Sequence, residues 1–127
     1  MLYAKTGSLG TAQLKNKAGR FVGPTAEAVS AAAVTATVGK PADEPYSLHE
    51  LTYSLTDSDA PAAYPIGGIS YAILFEQQPA DPGKAVVEFL KWVVTDGQQY
   101  AKELEYAPLP DALRTRAVER LGKVTFK

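Results

Sequence analysis

The apolar residues of this chain recur with two different periods, and the changes of period divide it into elements. Residues 69–75, ISYAILF, form an almost unbroken β-branched, aromatic and aliphatic run. Such a run predicts a strand buried on both faces. Gly67 and Gly68, just before it, predict a bulge or a close backbone approach. Val86, Phe89, Leu90 and Val93 then fall at i, i+3, i+4 and i+7, one face of an amphipathic helix. Pro82 suits the first position of that helix, with Asp81 as its N-cap, and residues 77–81 read as the preceding turn.

The same logic covers the rest. Residues 2–5 fit the end of a helix. Residues 11–14 and 20–22 are short β-compatible runs flanking Lys15-Asn16-Lys17-Ala18-Gly19, the pattern of a hairpin. Thr25 is a candidate N-cap for an Ala-rich helix over 26–33. Residues 38–46, with Pro41 and Pro45, form an internal loop. Leu51, Tyr53 and Leu55 share one face at period 2, which predicts a strand within 48–55. The following loop holds Asp57 or Ser58 as the cap of a single turn. Asp96 caps a further helix with Tyr100, Ala101 and Leu104 on its apolar face, ended by Pro108 and Pro110. Residues 111–121 make the last helix, with Leu113, Ala117 and Leu121 one turn apart and Gly122 at its end. This mixture predicts an α/β chain, with α+β as the alternative, and it has few strands for a complete sheet.

Composition narrows the function classes. The 127 residues suggest one domain, or one part of a larger one. A net charge of −1 gives no general attraction to nucleic acid or membrane. The absence of cysteine excludes disulfides, thiolate metal sites and cysteine nucleophiles. No run approaches the roughly 20 apolar residues of a membrane span. Met1-Leu2-Tyr3-Ala4-Lys5 lacks the apolar stretch of a secretory leader, and Met1, the lone methionine, fits a start codon supplied to a fragment.

Candidate chemistry is sparse. TGSLGT, residues 6–11, has the Gly, Ser and Thr of an anion nest, yet strand-like residues follow it and no Gly-Lys-Ser/Thr ending is present. A helix end followed by a turn into the hairpin is the competing reading. His49 is the single histidine, beside Glu50, too little for a metal site or a nucleophile–histidine–acid triad. Asp57 and Asp59 lack the spacing of a calcium loop. Glu103 and Glu105 are two apart on a helix and so point in different directions. Lys15, Lys17 and Arg20 form a small basic cluster for an anion or an acidic partner, or a solvated turn. Trp92 and Tyr100 read as core or interface aromatics. No set of residues assembles into an active site, so no enzyme, cofactor or metal is expected.

Resemblance adds more than any single motif. YPIGGISYAILF (64–75), the helix with VEFLKWV (87–93), GQQYA (97–101) and LEYAPLP (104–110) occur in an order that resembles the C-terminal part of the phosphate-binding proteins of bacterial phosphate ABC transporters, the PstS family. LKNKAGRFV (14–22), then Pro24-Thr25 and the Ala-rich helix, resembles what precedes these elements there. The resemblance implies a type 2 periplasmic binding protein, with this chain, residues 1–127, as a single partial domain. It implies an extracytoplasmic location and, for the full-length protein, inorganic phosphate as ligand and an ABC permease as partner. It also implies that the phosphate contacts lie in segments that would precede Met1, so none is carried onto a residue here. Arg20, Arg114, Arg116 and Arg120 are the only arginines, and no Gly-rich loop opens a helix. Two readings follow: a scaffold fragment of a phosphate-binding protein, or a fragment that self-associates through exposed strand edges without binding phosphate.

Overall fold

The computed structural model describes residues 2–35 and 54–127. The 38–46 loop, His49, Glu50 and the strand read within 48–55, apart from Ser54 and Leu55, lie outside the described residues. In order come helix α1 (Leu2–Thr6), strands β1 (Leu14–Lys15) and β2 (Phe21–Val22), and helix α2 (Ala26–Val34). Strand β3 (Gln77–Gln78), helix α3 (Ala80–Val94), a 3-10 turn (Asp96–Tyr100), helix α4 (Asp111–Leu121) and strand β4 (Thr125–Phe126) follow. The described chain thus mixes helices with two small two-stranded sheets, as an α/β composition requires.

Where a local signal was strong, the element formed. β1 and β2 pair antiparallel, Leu14 opposite Val22. Their turn closes with the Gly19 N–H on the Asn16 carbonyl at 2.8 Å, and Gly19 takes the left-handed φ of 77° that glycine adopts without strain. α2 starts where Thr25 accepts a hydrogen bond from the Ala28 N–H at 3.2 Å. Ser58 accepts from the Ala60 N–H at 3.3 Å, the cap expected in that loop. α4 matches its expected bounds, with Leu113 buried, Ala117 and Leu121 half-buried on the same face, and Gly122 at its C-cap. A Cβ on Gly67 would stand 3.1 Å from the Leu55 Cβ, so the close approach expected there is present.

Other expectations fail for tertiary reasons. Residues 69–75 build no ladder; Ile73 and Phe75 are each 83% exposed and Tyr71 is also exposed. The ladder that does form begins just beyond, where β3 pairs in parallel with β4 within the stretch read as a turn. It starts with the Thr125 N–H on the Glu76 carbonyl at 2.8 Å. It extends no further back because residues 122–124 are still leaving α4, with Lys123 and Val124 bonded to the Arg120 and Leu121 carbonyls. α3 is turned by one residue from the expected face: Val87 is buried at 3% exposure, whereas Val86 and Phe89 face solvent. The sequence VVEFLKWVV offers two overlapping apolar stripes, and the packing of α3 against α4, the 3-10 turn and β4 selects the one carrying Val87, Leu90 and Val94. Extended geometry at Asp81 (φ −121°, ψ 124°) interrupts α3 at the expected cap position, one residue after its start at Ala80. The helix expected from Asp96 is only a 3-10 turn, and Glu105 at φ 61° breaks the turns after it.

The core is small. Ala32, Ala33, Leu55, Ala63 and Leu113 form its buried cluster, with Val29, Ala60, Ile69 and Leu109 packed against it. No large side chain among the described residues is fully buried. Polar side chains therefore do much of the positioning. Asn16, 5% exposed, donates to the Pro61 and Ala63 carbonyls at 3.0 and 3.1 Å and accepts from the Arg20 N–H at 3.0 Å. Gln98 accepts from the Leu109 N–H and donates to the Val93 carbonyl, both at 2.7 Å. Ser30 donates to the Pro108 carbonyl at 3.1 Å. Around the 101–105 turn, Lys102 pairs with Glu27 at 2.9 Å and Lys5 pairs with Glu105.

Three measurements test this packing. Asn16→Ala leaves buried partners unsatisfied and should cost about 1–3 kcal/mol in urea denaturation, whereas Lys17→Ala, which breaks only an exposed ion pair, should leave the midpoint unchanged. Gly97→Ala places a Cβ 2.9 Å from the Trp92 carbonyl oxygen and should lower stability by about 1–3 kcal/mol, the usual cost of overpacking. The Lys102 ammonium, hydrogen-bonded to Glu27, is the largest influence holding that carboxyl below its ordinary range. A depressed folded-state pKa means a contribution present at neutral pH and lost as pH falls below the unfolded value and through the folded one. Lys102→Ala should therefore raise the Glu27 titration midpoint followed by NMR, and added salt should shrink the difference.

Candidate functional site

TGSLGT is a helix terminus. The Leu9 N–H donates to the Ala4 carbonyl at 2.8 Å and the Ser8 N–H to the Lys5 carbonyl at 3.3 Å, with Ser8 at φ 51°. This is the Schellman closure of α1, with serine in the left-handed position that glycine usually fills. The Gly7 N–H is bonded to the Tyr3 carbonyl at 3.0 Å. Three amides that a phosphate nest would need are therefore turned back onto their own helix.

The charged candidates are dispersed as well. Lys17 lies 2.7 Å from Asp59. That hydrogen bond, reinforced by the charges of Asp59 and Asp57, raises the Lys17 pKa above its ordinary value. One member of the Lys15, Lys17, Arg20 cluster and one member of the Asp57, Asp59 pair thus neutralise each other. Glu105 is taken by Lys5, and Glu103 is exposed. In α4, Arg114 pairs with Asp111, and Arg120 lies 3.0 Å from Glu76. Trp92 and Tyr100 belong to a surface row with Phe89, successive ring centroids 6.1 Å apart. Asn16, Ser30 and Gln98 carried no functional signal in the sequence. Asn16 sits in a recognisable turn, but its partners at positions 61 and 63 are distant along the chain.

The dominant surface feature is apolar. Residues 69–76 form one wall of a cleft of about 250 Å³, and Leu90, Val94, Leu113, Ala117 and Leu121 line the opposite side. A second cleft, of about 630 Å³, runs between α2, residues 64–72 and the 97–109 stretch. Among the described residues no helix is long and apolar enough to cross a membrane.

Comparison with known proteins supplies a relationship. No family model matches the chain, and no solved structure matches it. Several curated relatives do. The phosphate-binding protein PstS of Pasteurella multocida (strain Pm70) is 34% identical over 110 residues, 86% of this chain and 30% of its own length. PstS of Xylella fastidiosa (strain 9a5c) is 32% identical over 128 aligned residues, 100% of this chain and 33% of its own. PstS of Methanocaldococcus jannaschii is 34% identical over 104 residues, 76% of this chain and 26% of its own. The chain spans about a third of the length of the curated relatives it matches. The resemblance carried by YPI, FLKW and YAPLP in their order is borne out: by sequence this chain is a relative of the PstS phosphate-binding proteins.

Proposed function

We propose that these 127 residues serve as scaffold in a solute-binding protein for inorganic phosphate uptake through an ABC transporter. On this reading they are the C-terminal portion of a type 2 periplasmic binding fold. They work outside the cytoplasm and engage an ABC permease only as part of the longer protein. The phosphate ligands lie in the parts of the relatives that this chain does not match, and the chain carries out no catalysis.

The observation that carries this reading is similarity to PstS proteins along nearly the whole chain but only a third of theirs. The geometry supports the scaffold role. A dehydrated phosphate needs several aligned donors and a charge partner. The amides of residues 7–9 are committed to α1, and Lys17, Arg114 and Arg120 each have a carboxylate beside them. A second reading, self-association without phosphate binding, draws on one feature: the large apolar side chains at 71, 73 and 75 are exposed.

Calorimetric titration of the isolated chain with inorganic phosphate should show no binding tighter than about millimolar, which corresponds to roughly −4 kcal/mol. Micromolar binding by a monomer would refute the scaffold assignment. Light scattering over a range of concentrations tests the second reading, which requires growth in mass and fails with a constant monomer.

A further inference from the structure

We draw no further inference here: the strongest candidate, the exposed aromatic row of Phe89 and Trp92 on α3 with Tyr100 of the 3-10 turn, is an apolar surface patch for which nothing in the structure shows what covers it.

Discussion

A strand that is apolar on both faces has two separate requirements: a neighbour along its edge and a layer over each side. The described part of this chain meets neither in full for residues 69–75. Helices α3 and α4 approach one side across a cleft, and the short β3–β4 ladder stops at Glu76 because β4 begins only where α4 has ended. Much of the remaining architecture follows from that shortage. With the most hydrophobic stretch exposed, the buried cluster is left to small residues of α2, to Leu55 and Ala63, and to Leu113 of α4. Burial scales with apolar area, so a core rich in alanine contributes little per residue.

Polar side chains offset part of what the core lacks. Asn16 joins the hairpin to residues 61 and 63, Gln98 ties the 3-10 turn to Leu109, and Ser30 holds α2 to Pro108. Each bond reaches between segments distant in sequence, so each fixes a loop that regular structure does not. The surface ion pairs act differently. Their partners are largely exposed and contribute little to stability, but Lys17–Asp59 and Arg120–Glu76 keep cations beside carboxylates rather than gathered round a common anion site.

The relationship to PstS proteins is compatible with the dispersed charges of the described residues. A binding protein's ligand contacts can sit on one set of loops while other segments hold those loops in place. A segment matching about a third of such proteins can then keep recognisable sequence across nearly its whole length and still carry no ligand group.

The sequence by itself determined what depends on neighbours a few residues away. The Thr25 cap, the Gly19 turn, the bounds of α4 and the end of α1 within TGSLGT all rest on contacts within about one turn, and local chemistry suffices for those. It also carried the relationship to the PstS proteins, through several motifs read in their order. Tertiary structure alone decided the rest. It chose Val87 over Val86 as the buried stripe of α3, because two stripes overlap in the sequence and only packing against α4, the 3-10 turn and β4 distinguishes them. It placed Asn16 against carbonyls 45 and 47 residues away. Among the described residues it left 69–75 outside any ladder, because hydrophobicity specifies only that a run favours burial, whereas pairing depends on which segments the fold brings beside it.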